Sequence, residues 1–454
     1  MKKLVILTPC HSLHGGVEVI VADLARALPS RGWDVVLGLA EGTRFNRPEL
    51  YEAEYPGLPT THIDCFSGTS EGRIRALMGS IRKIRPDIVM SARIFDLYEA
   101  GRRLKHELPE LRLALTIQCY EHDYLIDLAR WSSQVDLCIT SGELIRQAAI
   151  QLCGMESHRV ISIPGGVAPC ALRATPPSAP LRLGYAGRLD QDQKRVFDLV
   201  EIVRTLIARD LDFTFHIAGA GPAETELKGR MSDVAGSKVK FLGWLGSRTS
   251  YYKFLGSIDI FLHAAEREGV SIAPREAMAC GAVPVISEFT GFWLEGHFLP
   301  NVNCLSFPVG DTGMAANQVM RLSKEPALLA DLSRAAQASE TGIYSETGAM
   351  DAWAWTFDEC LRLPSKPPAD FSQIVSDHGR LSKWGVPPAF AQTLRDLMGI
   401  RMKHDSPGAE WPHSSTSGSE SFLRIFESFA KEQEDESKGR FLAAKPHGRT
   451  GGLS

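Results

Sequence analysis

The 454-residue chain is too long for a single hydrophobic core, so at least two domains are expected. A formal charge of −4 with 23% charged residues gives no general attraction to nucleic acid or membrane. No run of about 18 apolar residues is present, which argues against a membrane span. Nine cysteines without a C-x-x-C pair favour reduced thiols in a cytoplasmic chain.

The first half of the chain alternates between predicted strands and helices. Residues 4–7 form an apolar run too short for a signal peptide, which indicates a buried first strand. Gly15 and Gly16 follow it, and such paired glycines let backbone approach a ligand closely. The other predicted elements are the strands 34–40, 61–66, 88–91, 113–118 and 137–140 and the helix 73–84. Strands separated by helices predict a doubly wound parallel sheet.

The second half repeats this alternation after a Pro- and Ala-rich stretch, residues 168–180, that is typical of a linker. Residues 181–186 predict the first strand of a second sheet and lead into Gly187-Arg188 and Lys194. An arginine can hold phosphate through two N–H groups, and a lysine acts as a compact charge. This loop is therefore a candidate diphosphate site.

The next predicted strand, 213–219, ends in Gly219-Ala-Gly221-Pro. Glu224 stands where a dinucleotide fingerprint would need its third glycine, so a dinucleotide site is not expected there.

The most informative stretch lies between two apolar runs, 258–263 and 283–286. It reads as loop and short helix, with Pro274 in the first turn and Gly281 past the end. Loop amides at a helix N-terminus bind anions well. Glu268 and Glu276, in contrast, suit hydroxyl groups. One site would thus offer amides for phosphate and carboxylates for polyols, which suits a sugar nucleotide.

This stretch, with Ala-Met-Ala-Cys-Gly-Ala-Val-Pro-Val after it, resembles the E-x7-E segment of retaining glycosyltransferases of the GT-B fold, family-4 type. The resemblance covers roughly residues 1–362. It includes the run His14-Gly15-Gly16-Val-Glu18, the Gly-Arg-Leu…Lys element ending at Lys194, the Gly-x-Gly-Pro turn, and residues 241–245, which are similar to the family segment that meets the nucleobase.

The fold class implied by the resemblance is α/β, GT-B: two facing doubly wound Rossmann-like domains. The implied segments are an N-terminal acceptor-side domain (1–167), a linker (168–180), a nucleotide-sugar-binding domain (181–345), a helix crossing back (346–362) and a partly disordered extension (363–454).

The implied reaction is retaining, metal-independent transfer of a hexose from a nucleotide-diphosphate sugar to a glycan or lipid-linked acceptor. No cofactor is implied, since the sugar nucleotide is a co-substrate. Glu268, Arg188 and Lys194 would be catalytic, the two cations stabilising charge on the leaving diphosphate. The implied donor-binding residues are Gly15, Gly16, Gly187, Gly219, Gly221, Gly269, Val270, Ser271, Ile272 and Glu276.

The acceptor side is less well matched. Many relatives carry a histidine directly after the strand 113–118, where this chain has Gln118, with His122 four residues on. Both are candidates, and a solvated loop histidine is the alternative for His122. The chain also lacks the family's second glycine after Gly291 and has Cys304 at a glycine position.

The sequence leaves two alternative functions open. One is a non-catalytic glycosyltransferase-like subunit, and the more remote one is an α/β hydrolase. Gly68-Thr-Ser70-Glu-Gly72 matches the G-x-S-x-G of α/β hydrolases, although that elbow needs its serine at the strand-to-helix turn itself. The D-x-D pairs at Asp190 and Asp210 are expected to bind no metal, since the second precedes its strand. His11 and His14 lack a third ligand for zinc.

Past residue 363 the resemblance ends. Residues 405–421 are rich in Ser, Pro and Gly, which predicts disorder. Phe422, Ile425, Phe426 and Phe429 recur at helical spacing, which indicates an amphipathic helix that docks on this protein or on a partner. We expect catalysis not to require residues 405–454.

A cluster of bases in the first domain allows peripheral contact of this cytoplasmic protein with an anionic membrane at its inner face. A solvated helix face is the alternative. The cluster comprises Arg73, Arg75, Arg82, Lys83, Arg85, Arg102, Arg103 and Lys105.

Overall fold

The structure is a computed structural model that describes residues 1–10, 13, 16–42, 46–64, 66–118, 120, 122–170, 180–269, 271–372, 384–402 and 419–444. The chain divides into two compact units. Unit 1 comprises Met1–Ser141, Ile145–Ile163 and Met350–Phe426. Unit 2 comprises Gly142–Leu144, Pro164–Ala349 and Glu427–Ser454.

The strands are β1 Lys2–Thr8, β2 Trp33–Glu41, β3 Thr60–Asp64, β4 Ile88–Ser91, β5 Arg112–Ile117, β6 Leu137–Thr140, β7 Val160–Ser162, β8 Leu181–Ala186, β9 Phe213–Ala218, β10 Val239–Gly243, β11 Ile260–His263, β12 Val283–Ser287 and β13 Leu305–Phe307. The helices are α1 Gly16–Ala27, α2 Pro48–Glu54, α3 Ser70–Ile84, α4 Leu97–Glu107, α5 His122–Trp131, α6 Glu143–Gln151, α7 Asp198–Ala208, α8 Glu224–Ala235, α9 Arg248–Gly256, α10 Ile272–Ala279, α11 Phe292–Glu295, α12 Thr312–Lys324, α13 Pro326–Ser339, α14 Glu346–Arg362, α15 Pro388–Met398 and α16 Ser419–Ala444.

Unit 1 is built on a seven-stranded sheet in the order β3-β2-β1-β4-β5-β6-β7, with every pair parallel. Its interior strand β1 buries Leu4 to Leu7 on both faces, as a parallel strand covered by helices requires. Helix α14 packs on one face of this sheet through Trp353 and Phe357, and the Phe357 ring lies 5.5 Å from that of Trp33.

Unit 2 is built on a six-stranded parallel sheet in the order β10-β9-β8-β11-β12-β13. Strand β8 therefore lies between β9 and β11, so the loops that follow these three strands share one edge. Two parallel Rossmann-like sheets confirm the predicted α/β class.

The sequence of residues 315–340 predicts helix, and the structure has two consecutive helices there. Helix α12 ends at Lys324 and α13 begins at Pro326. Proline lacks an N–H and disfavours helical backbone in the residue before it, which explains the break at Glu325. The linker prediction falls largely on residues 171–179, and the disorder prediction largely on 403–418. Both stretches lie outside the described residues.

The extension past residue 363 packs on unit 1. The buried carboxylate of Asp136 accepts hydrogen bonds from Lys105 Nζ at 2.6 Å and from the backbone N–H of Lys366 at 2.6 Å. Helix α15 lies on α3, where Arg75 donates to the carbonyl of Ala389 at 2.7 Å. The helix predicted around Phe422 is α16, in which Phe426 is buried and Ile425 exposed. In the part of the chain that the structure describes, no helix is both long enough and apolar enough to span a bilayer.

We expect Asp136→Asn to lower the free energy of unfolding by about 3–5 kcal/mol, because Lys105 would remain buried without its counter-charge. Urea unfolding monitored by tryptophan fluorescence measures this loss. Glu107→Gln is the control, since its pair with Arg82 is exposed and such pairs contribute less than about 1 kcal/mol. Equal, small losses in both variants would contradict the assignment.

Candidate active site

Three side chains converge at the carboxyl edge of the unit 2 sheet. Glu268 follows β11 and is almost fully buried. Its Oε1 accepts a hydrogen bond from Lys194 Nζ at 2.5 Å and lies 2.8 Å from His263 Nε2. Lys194 comes from the loop after β8, which is the neighbouring strand. The structure therefore brings together two of the three residues that the sequence identified as catalytic.

The charge state of Glu268 follows from these contacts. Burial alone would raise its pKa, but the Lys194 ammonium and the His263 hydrogen bond lower the pKa of Glu268 to about 2. Burial lowers the pKa of His263, so its ring is neutral near pH 7. An ionised Glu268 makes His263 Nε2 the protonated nitrogen. The other nitrogen, Nδ1, is buried without a hydrogen-bond partner among the described residues.

Backbone contacts bring the Lys194 loop to Glu268. The N–H of Glu266 donates to the carbonyl of Gln193 at 2.9 Å, and Gln193 Nε2 donates to the carbonyl of Arg267 at 3.1 Å. Asp190 stabilises the turn by accepting from the N–H of Gln193 at 2.9 Å. The loops after β8 and β11 are thus joined directly next to the Glu268–Lys194 pair.

Arg188 lies in the same loop but is exposed. Its guanidinium is 3.4 Å from Asp190 and 3.4 Å from the Gln193 side chain. These are weak contacts at the surface, so the side chain can turn toward an incoming anion without breaking a buried pair. Its backbone is held more firmly, because the Tyr185 hydroxyl donates to the Arg188 carbonyl at 2.9 Å.

The predicted donor glycines allow two loops to pack closely. A Cβ at Gly219, where φ is +137°, would lie 1.9 Å from the carbonyl oxygen of Gly187, and one at Gly221 would lie 2.3 Å from that of Leu189. No other residue fits at such distances. The N–H of Gly187 also donates to Ala218 at 3.1 Å. These glycines therefore position the loop that carries Arg188 and Lys194.

The second carboxylate of the motif has different surroundings. Glu276 lies in α10 and accepts hydrogen bonds from the Tyr251 hydroxyl at 2.7 Å and the Tyr252 hydroxyl at 3.3 Å. Burial raises the pKa of Glu276 to about 7, although both tyrosine hydrogen bonds act against the shift. Glu268 and Glu276 thus differ in charge near neutral pH, one always ionised and the other half protonated.

Two residues that sequence reasoning missed hold this arrangement. His263 lies at the carboxyl end of a predicted strand, five residues before Glu268, and this position indicates that its side chain can reach the site. Arg275 is fully buried and donates to the carbonyls of Gly165 at 2.5 Å and Tyr344 at 2.9 Å, and to Glu340 at 3.1 Å. It anchors α10 next to Glu276, and nothing in the sequence distinguishes it from a surface arginine.

The remaining predicted residues are placed as follows. Gly269 and Ser271 precede α10, the Ser271 hydroxyl is buried without a partner among the described residues, and Ile272 is the first helical residue. Val270 lies outside the described residues.

In unit 1, Gly16 begins α1, while Gly15 lies outside the described residues. Gln118 follows β5 and donates to Thr116 Oγ1 at 2.5 Å, and His122 is the first residue of α5.

Among the described residues, the D-x-D pairs and the G-x-S-x-G match form no alternative site, and His11 and His14 lie outside the described residues. Across the described residues, no group of three or more His, Cys, Asp or Glu side chains could hold a metal ion. Ser70 of the G-x-S-x-G match is buried at the start of α3, and its Oγ accepts from Arg73 Nη2 at 2.9 Å. An exposed serine nucleophile would be needed for a hydrolase, so this alternative has no support.

Comparison with known proteins identifies the family. The model described as "Glycosyltransferase Family 4" matches residues 14–169. The model described as "Glycosyl transferases group 1" matches residues 180–325. No curated protein matches the sequence significantly.

Solved structures with similar folds include several glycosyltransferases. HepE of Anabaena, in complex with UDP and glucose, has a TM-score of 0.63 at 17% identity, covering 79% of this chain and 100% of that one. A mutant of S. aureus TarM, in complex with fondaparinux, alpha-GlcNAc-glycerol and UDP, has a TM-score of 0.64 at 11% identity, covering 79% and 100%. The sucrose-phosphate synthase of Thermosynechococcus elongatus has a TM-score of 0.64 at 16% identity, covering 80% and 100%. The chain belongs to the GT-B glycosyltransferases of the family-4 type.

Proposed function

We propose that this protein transfers a hexose from a nucleotide-diphosphate sugar with retention of anomeric configuration and without a metal ion. The observation that carries the proposal is the buried, ionised Glu268 paired with Lys194 at the carboxyl edge of a parallel sheet. Burying a charge costs desolvation free energy. Ionisable groups with strongly shifted pKa values cluster at functional sites.

The roles follow from the charges. Glu268 accepts hydrogen bonds from the sugar hydroxyls, and Glu276 from the ribose hydroxyls. Lys194 and the exposed Arg188 stabilise the negative charge that develops on the diphosphate as its bond to the sugar breaks. Since HepE and TarM were solved with UDP, a uridine diphosphate sugar is the first donor to test.

The acceptor is proposed to be a glycan or a lipid-linked glycan that binds on the unit 1 side. A small pocket lies there at the carboxyl ends of β4 and β5, lined by Ser91, Tyr98 and Thr116 among others. Gln118 donates a hydrogen bond to Thr116, which is one of the lining residues.

Contact with an anionic membrane stays a prediction. In the structure, fewer of the basic side chains are free of acidic partners than the sequence suggests. Arg73 and Lys105 are buried in ion pairs with Asp96 and Asp136. Partly exposed members in ion pairs are Arg75, Arg82, Arg102 and Arg103. Lys83 and Arg85 are exposed without an ion pair among the described residues. Two bases at about 1 kcal/mol each would bind a bilayer weakly.

We expect Lys194→Ala and Arg188→Ala each to lower kcat by roughly 10²-fold or more, because a preformed charge on the leaving group is lost. Donor hydrolysis or transfer assays measure this. Arg204→Ala on α7 is the control, since Arg204 is exposed and its ion-pair partner is Glu201 of its own helix. Wild-type rates in both site variants would refute the assignment.

Turnover of the donor should persist in EDTA if no metal participates. Hydrolysis of UDP-, GDP- and ADP-hexoses in the presence of EDTA tests this directly. Thermal shift with free UDP, GDP and ADP reports which nucleotide binds, because a ligand at 100 times its dissociation constant stabilises by about 2.7 kcal/mol. A nucleotide shift with no turnover of any donor would indicate a non-catalytic subunit.

Donor binding should tighten as pH rises through about 7, the value to which burial raises the pKa of Glu276. The ionised carboxylate accepts ribose hydroxyls better than the protonated acid, so the bound state favours loss of the proton. The donor KM measured between pH 5.5 and 8.5 tests this. Glu276→Gln should weaken binding and remove the pH dependence, and an unchanged pH profile in that variant would contradict the role of Glu276.

A further inference from the structure

The C-terminal helix α16 contacts the segment 288–293 of unit 2. The Glu434 carboxylate accepts a hydrogen bond from the backbone N–H of Gly291 and is also hydrogen-bonded to the backbone of Phe292. One turn further along, Lys438 Nζ donates to Glu288 at 2.8 Å. Two charged side chains of the extension therefore hold both ends of this short segment.

Aromatic packing adds to these polar contacts. Phe441 lies against Trp293 with ring centroids 5.2 Å apart, and Lys438 Nζ sits 5.1 Å from the Trp293 ring. Glu288 accepts further hydrogen bonds from Trp293 Nε1 at 3.3 Å and Ser306 Oγ at 3.1 Å. The contact is thus a set of interlocking interactions and more than a single surface ion pair.

The segment needs such support. It turns at Gly291, where φ is +97°, and its helix α11 is only four residues long. The first amides of a helix have no intrahelical partner, and a carboxylate that accepts from them satisfies both the hydrogen bond and the local dipole. Glu434 provides this carboxylate.

The segment in turn touches the loop that carries Glu268. The N–H of Thr290 donates to the carbonyl of Glu266 at 2.9 Å, and Thr290 forms a parallel bridge with Arg267. Phe289 packs edge-on against His263, with ring centroids 6.0 Å apart. A continuous chain of contacts therefore runs from Glu434 to His263, Glu266 and Arg267, which precede Glu268.

We propose that α16 supports the donor site. Glu434 is a positioning residue that orients the Glu268 loop through segment 288–293. The inference rests on the proposed function for its catalytic consequence. It goes beyond that function because α16 lies past residue 325, where the family match ends. It also reverses the expectation from sequence that residues 405–454 are dispensable.

The test compares Glu434→Ala, Glu434→Gln and Glu432→Ala. We expect Glu434→Ala to raise the donor KM about tenfold, as loss of a charge-assisted hydrogen bond predicts, with a smaller change in kcat. Glu434→Gln keeps an oxygen that can accept from Gly291 but lacks the charge, so its donor KM should lie between those of wild type and Glu434→Ala. Glu432 is exposed on the same helix, so its variant controls for helix stability and should match wild type.

Amide hydrogen exchange across residues 288–293 provides a readout that does not need activity. Exchange there should accelerate in Glu434→Ala and stay slow in Glu432→Ala. If Lys194→Ala keeps wild-type turnover, the proposed function fails while exchange still tests the contact. An unchanged KM and unchanged exchange in Glu434→Ala would overturn the role of α16, as would an effect of equal size in Glu432→Ala.

Discussion

A buried negative charge organises the carboxyl edge of the unit 2 sheet. Glu268 is removed from water at the end of β11, and an isolated carboxylate there would be neutralised by protonation. Lys194 supplies the counter-charge from the loop after β8, and His263 supplies a hydrogen bond from the strand itself. Because β8 and β11 are neighbours in the sheet, the loops that follow them lie side by side. The glycines at 187, 219 and 221 allow the Lys194 loop to pack closely against the loop after β9.

The second carboxylate shows how one short motif yields two chemical environments. Glu276 is eight residues from Glu268, yet it faces two tyrosine hydroxyls and no paired lysine. A hydroxyl donor stabilises a carboxylate less than an ammonium does, so burial dominates and the pKa rises. The tyrosine hydroxyls contact both carboxylate oxygens of Glu276. Further hydroxyl donors at this carboxylate would favour its ionised form and lower its pKa.

The extension past residue 363 is integrated into the molecule. Asp136, buried between β5 and β6, binds Lys105 and the backbone at Lys366, which makes the extension part of the unit 1 core. Helix α16 contributes residues to both units. Its first half buries Phe426, whose ring lies 6.0 Å from that of Tyr120. Its second half contacts the segment after β12 in unit 2. The sequence of this tail does not indicate where it packs, because the residues that it contacts are distant in the chain.

The sequence by itself determined the two parallel sheets, the strand–loop–helix–strand unit around Glu268 and the basic loop at Lys194. These depend on local periodicity, on glycine and proline positions and on spacing within one segment. The tertiary structure alone decided which charges compensate each other. The sequence suggests that Arg73, Arg75 and Arg103 are surface bases, but they pair with acids on other segments, and nothing in the sequence indicates that Arg275 is buried. Contacts between residues far apart in the chain decide whether a side chain is buried and which partner it meets. The local sequence pattern does not predict these contacts.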